Sequence, residues 1–99
     1  MKKLLIGLTA LALSGQAFAA DKMEYCQRLS FVAEQIMDVR QMGEPIETVQ
    51  MIKTDLQEFN ITVEYAYELP VVEGENEKLL ATIKFKRSVY NICMTSKKI

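Results

Sequence analysis

Between residues 22 and 41 the apolar positions recur at helical spacing. At 100° per residue, Tyr25, Leu29, Val32, Ala33 and Ile36 fall on one stripe, with Cys26 and Met37 at its edge and Gln27, Glu34, Gln35 and Asp38 opposite. Gly43 then supplies a left-handed stop, and Pro45 suits the first turn of a second helix. From there Ile46, Val49, Ile52, Leu56 and Phe59 recur at steps of three and four, which predicts a helix of about four turns or more; Val63 and Tyr67 continue its phase.

Residues 61–69 fit two periods at once. Ile61, Val63, Tyr65, Tyr67 and Leu69 also alternate strictly and favour strands. No other segment alternates, and an unpaired strand is not stable, so this segment is expected to be helical, with a break available at Asn60 and an end by Pro70. Residues 71–77 read as a loop around Gly74. A last helix starts near Asn76, with Leu79, Ile83, Tyr90 and Cys93 on its stripe, Phe85, Val89 and Ile92 on a flank, and Lys97 and Lys98 as favourable cations at its end.

Residues 1–19 follow a different grammar. Lys2 and Lys3 form a basic start, residues 4–13 an apolar run, and Ala17-Phe18-Ala19 a small-x-small cleavage pattern. These features predict a cleaved secretory signal peptide that leaves one helical domain, residues 20–99. The run is well short of the roughly 20 apolar residues of a membrane span, so no stable membrane insertion is expected after cleavage. No cysteine stands at Ala20 or Asp21 to carry a lipid. The short basic start is of bacterial type, making the periplasm the expected location and secretion beyond the cell the alternative.

Export bears directly on the two cysteines, Cys26 and Cys93, because an oxidising compartment lets them pair. One lies near the start of the first helix and the other near the end of the last. Bringing their Cα atoms within about 6 Å requires these helices to be antiparallel neighbours. The expected fold is therefore all-α: a small three- to four-helix bundle with its first and last helices tied by a disulfide. A chain of this size buries only about 60% of the surface it exposes when unfolded, and a crosslink spanning nearly the whole domain is worth about 4 kcal/mol on the chain-entropy estimate.

Loss of Lys2 and Lys3 would change the net charge from −1 to −3. The remaining charge is polarised, since every acidic residue lies at or before Glu77 and the chain from Lys78 onward carries only basic ones. A solvated basic helix face accounts for this without a nucleic-acid partner.

Several chemistries are missing. With no histidine there is no Ser-His-Asp or Cys-His arrangement and no imidazole ligand. A Cys-x-x-Cys motif and a Gly-rich phosphate cradle are also lacking. Glu64 and Glu68 share a helix face, but a small bundle offers no sugar cleft between them. Glu73, Glu75 and Glu77 lack the pattern of a calcium loop. Met23, Met37, Met42, Met51 and Met94 are scattered over several faces and fit packing better than copper binding. Asn60-Ile61-Thr62 matches a glycosylation acceptor, which a bacterial exporter does not use. Neither an enzymatic activity nor a cofactor is expected.

Three apolar residues fall away from the stripes: Phe31 and Met42 on the polar side of the first helix, and Met51 on that of the second. They are candidate partner contacts, either with another protein or in a homodimer. Lys86, conversely, falls within the apolar stripe of the last helix, and a buried ion pair with Glu64 or Glu68 is the expected way to satisfy it. The reading that follows is a small, exported, non-enzymatic envelope protein acting through protein–protein contact as an inhibitor, adaptor or accessory subunit. In size, helix content, export and single disulfide the outline is also similar to that of periplasmic acid-stress chaperones, without their local motifs. That resemblance implies a holdase loosened by carboxylate protonation.

Overall fold

The computed structural model describes the backbone of residues 2–96 and the side chains of residues 21–96. Among these there are four helices and no strand: α1 (Lys2–Gln41), α2 (Ile46–Gln50), α3 (Phe59–Glu68) and α4 (Glu75–Thr95). Helix α1 continues unbroken across the expected leader boundary, and its 40 residues, at about 1.5 Å each, account for the 64 Å long axis of the molecule. Lys97 and Lys98 lie outside the described residues.

The stop after α1 is made as the sequence anticipates. Gly43 adopts φ 83°, its N–H donates to the Arg40 carbonyl at 2.9 Å, and the Glu44 N–H reaches back to Val39 at 3.4 Å. This pair of bonds is the Schellman arrangement, which satisfies carbonyls that the helix end would leave open. Pro45 then caps α2 from an extended conformation, one residue before the helical position expected for it.

The long second helix does not form. Helix α2 ends at Gln50, and the chain is not helical again until Phe59. The cause is topological. Asp55 and Glu58 contact Arg28 and Tyr25 just past the middle of α1, while Arg40, near its end, binds the carbonyl of Leu69. Helix α3 therefore runs parallel to α1, so the chain leaving α2 must first travel back along it. From Tyr25 to Arg40 that distance is about 22 Å at helical rise; eight extended residues span up to about 26 Å. A helix of the same eight residues would fall far short. Locally, Thr54 Oγ1 accepts the Leu56 N–H at 3.2 Å, a side-chain turn that competes with helix formation. Val49, Leu56 and Phe59 are all buried despite the break, whereas Ile52 is left exposed.

The ambiguous segment 61–69 is helical, and Leu69 leaves α3 in an extended conformation just before Pro70. Helix α4 begins after Gly74 (φ 94°) and runs antiparallel to α1. At one end the Lys78 ammonium donates to the Gln41 carbonyl at 2.7 Å, and at the other Lys22 donates to the Ser96 carbonyl at 2.8 Å. Between them Cys26 and Cys93 are bonded, with Cα atoms 5.5 Å apart.

The core gathers Cys26, Leu29, Ala33, Ile36 and Met37 of α1 with Val49, Leu56, Phe59, Val63 and Ala66, and closes with Phe85, Val89 and Cys93 of α4. Relative to the expected stripes, both long helices are rotated. Cys26 and Met37, placed at the edge of the first stripe, are fully buried, whereas Tyr25 and Val32 are only partly so. In α4 the buried row is Thr82, Phe85, Val89 and Cys93, the expected flank, and Leu79 and Ile83 face outward. The disulfide explains the rotation: with Cys93 fixed against α1, residues four and eight positions earlier must follow it inward.

Candidate functional site

Helices α3 and α4 both pack against α1 and leave a groove of about 680 Å³ between themselves. One wall is the exposed edge of α3, with Tyr65, Glu68 and Leu69, continued by Pro70 and Val72. The other is α4, with Glu77, Leu80, Ala81, Lys84, Ser88 and Ile92. Phe85 and Val89 form the floor and are the same side chains that seal the core. Leu80 is 53% and Ile92 58% exposed, so this apolar surface lies open to solvent. Its charges are unevenly placed: Glu68 and Glu77 stand toward the α3–α4 loop, and Lys84 lies further along α4.

The groove is held in shape from below. Gln41, buried at the end of α1, donates from Nε2 to the Pro70 carbonyl at 3.0 Å and accepts the Val72 N–H at Oε1, also at 3.0 Å. This one amide therefore serves both faces of the turn that joins the two walls. Arg40 adds its bond to the Leu69 carbonyl at 3.1 Å and lies 4.9 Å from the centroid of the Tyr67 ring. The Tyr67 hydroxyl in turn donates to the carbonyls of Glu44 and Pro45. Burial raises the Tyr67 pKa; Arg40 opposes that shift, and Glu44 and Glu47 reinforce it.

On the opposite flank of α4 the structure corrects the expected ion pair. Lys86 Nζ pairs with Glu34 of α1 at 2.7 Å, and both side chains are more than a third exposed. It meets neither Glu64 nor Glu68, because those residues are exposed on α3, and Glu68 lines the groove on the other side of α4. The same ammonium lies 4.7 Å from the centroid of the Phe31 ring.

Phe31, Met42 and Met51 are 60%, 68% and 80% exposed, but they do not form one patch. Phe31 borders a hollow with Arg28, Thr54 and Leu56; Met42 borders another with Asp38, Glu75 and Leu79. Met51 is the residue that ends α2 and borders neither hollow. The larger apolar surface is the groove, whose residues the sequence reading assigned to core stripes or passed over. The available signal was the surplus of large apolar residues on α4: Leu79, Leu80, Ile83 and Ile92, together with Phe85 and Val89, cannot all face one neighbour.

Among the described residues no group of three or more His, Cys, Asp or Glu side chains is placed to hold a metal ion. Every buried side-chain polar atom among them has a hydrogen-bond partner. No described helix is long and apolar enough to cross a membrane. Comparison with known protein families, curated proteins and solved structures finds no match to this chain.

Proposed function

We propose that the protein is an exported, non-enzymatic binding module of the bacterial cell envelope that uses the groove between α3 and α4 to hold another protein. The observation that carries this reading is the open apolar surface of Tyr65, Leu69, Leu80 and Ile92 over a packed floor. A contiguous apolar surface rimmed by polar groups is the physical mark of an interaction site. Export is supported by the leader pattern of residues 1–19 and by the buried Cys26–Cys93 bond, a crosslink suited to an oxidising compartment. The periplasm is the proposed location.

Photocrosslinking in cells tests the reading. A photoreactive residue at Leu80 is expected to give a discrete adduct with another protein, whereas one at exposed Lys53, remote from the groove, gives none. Equal labelling at the two positions, or no adduct at Leu80 in any growth condition, overturns it. Mass analysis of the extracted protein checks export, with a mature start at Ala20 expected.

An acid-activated holdase is the second reading, and one observation favours it. The return segment 51–58 is tied to α1 through carboxylates, Asp55 to Arg28 and Glu58 to Tyr25. In acid near pH 2 to 3 carboxylate-mediated ties weaken as a class, while the disulfide keeps the chain tethered. Suppression of client aggregation at that pH, absent at neutral pH, is the expected result. Unchanged light scattering rules this reading out.

A further inference from the structure

We infer that the partner presented to this groove is an amphipathic helix of about three to four turns, seated between α3 and α4, with a cationic residue at the end that meets Glu68 and Glu77. The inference rests on the binding function proposed above and adds the chemistry of the partner.

The length follows from α4. Leu80 and Ile92 mark the two ends of the apolar wall, and twelve residues at helical rise separate them by about 18 Å. Between them the wall steps down to Ala81 and Ser88, so a facing backbone can approach closely at the centre while larger side chains flank it at both ends. Opposite, Tyr65 of α3 and Leu69 just after it are both exposed and form the facing wall, and exposed Ile61 lies about one turn before Tyr65 on α3. Two helical ridges over an apolar floor match the stripe of a third helix, whose apolar residues recur at three and four.

The alternatives fit less well. The α3 and α4 walls are helical, and in the non-helical stretch between them the Leu69 and Pro70 carbonyls and the Val72 N–H are already bonded to Arg40 and Gln41, which leaves little backbone edge for an added strand. A small-molecule site encloses most of its ligand, whereas this trough is open along its length. A second copy of the chain, paired through α4 about a two-fold axis at the middle of the wall, would set Lys84 against Ser88 of the copy and Glu77 against Thr95 of the copy, so neither charge would meet an opposite one. The charges also give a polarity. Glu68 and Glu77 at the loop end call for Lys or Arg on the occupant, and Lys84, about 10 Å further along α4 from Glu77, calls for a carboxylate facing it.

A displayed library of amphipathic helical peptides, selected on the purified oxidised protein, tests this. Enriched peptides are expected to share an apolar three-four repeat with a basic residue at one end. Their binding should fall by about tenfold or more in Leu80→Glu and in Ile92→Glu. Both positions are exposed, and an intact disulfide and unchanged helix content confirm that the variants are folded. Glu68→Lys with Glu77→Lys should weaken the same peptides, and a peptide with its basic end reversed to Glu should recover binding to that variant. Enriched peptides without the repeat, or with affinity unaffected by Leu80→Glu, overturn the inference. So does Leu80-dependent uptake of a fluorescent fatty acid with no peptide enriched, or a dimer in sedimentation that Leu80→Glu disrupts. If the Leu80 crosslink to a protein forms in cells while no helical peptide binds, the binding function stands and the helical partner falls; if both fail, both fall.

Discussion

The phenol of Tyr25 donates a hydrogen bond to the Glu58 carboxylate and so fastens the start of α3 to α1 just past its middle. Burial first, and then this contact, push the Tyr25 pKa up to about 12 from an ordinary value of 10.0. The neutral phenol is thus favoured in the folded state. Its stabilising effect is fully present below pH 10, where the unfolded chain also keeps its proton, and is lost as pH rises toward 12. Wild-type protein should lose stability across that window. Tyr25→Phe should be weaker by about 1 kcal/mol at neutral pH and show a shallower alkaline decline, both read from denaturant midpoints. Identical alkaline slopes would remove the assignment to Tyr25.

Gln41 should be the most sensitive polar residue of the fold. Replacing it with Leu keeps bulk in a buried position but leaves the Val72 N–H and the Pro70 carbonyl without their partner. A cost of about 2 kcal/mol is expected, with faster amide exchange at Val72. If Val72 exchanges at the wild-type rate, the amide does not hold the turn.

Removing the crosslink by Cys26→Ala with Cys93→Ala should cost about 4 kcal/mol on the chain-entropy estimate for so long a loop. The loss comes with a cavity contribution, since both sulfurs are buried in the core. Unfolding by urea in the presence and absence of a reductant measures it, and a loss below about 1 kcal/mol would mean that the packing of α1 against α4 is sufficient without the bond.

Lys86→Met should be almost silent. The Lys86–Glu34 pair is solvated on both sides, and exposed pairs contribute about 0 to 1 kcal/mol. A change in urea midpoint equivalent to more than about 2 kcal/mol would restore the idea of a buried charge network there.

Gly74→Ala should destabilise more than a surface change normally does. The residue sits at φ 94°, where an L side chain is strained, and an added Cβ would run into the Glu77 carboxylate. A cost of about 1 to 2 kcal/mol is expected. Gly74→Ala with Glu77→Ala should recover only the steric part, and full recovery would show that backbone strain contributes nothing.

How far the fold could be read from the sequence depended on which constraints were local. Cys26 and Cys93 specified the α1–α4 neighbourhood because one covalent bond permits few arrangements, and Gly43 marked a helix end that needs positive φ. The return segment was illegible because Val49, Leu56 and Phe59 keep a helical spacing even though extended chain separates them. Periodicity records which residues are buried, not the path between them. Lys86 was misassigned for a related reason: the pattern placed it among apolar residues, but only the rotation of α4 decides that it faces Glu34 and not α3. The groove escaped notice because Leu80 and Ile92 are apolar residues that the fold leaves exposed, whereas periodicity alone treats every apolar position as buried.

Cys93 stands in the last turns of α4, 67 residues after Cys26, so the two thiols can meet only once all four helices have been made. With no other cysteine in the chain, only one intramolecular pairing exists. Forming this bond therefore takes one oxidation, after α4 has been made, with no sorting among alternative pairings of these residues.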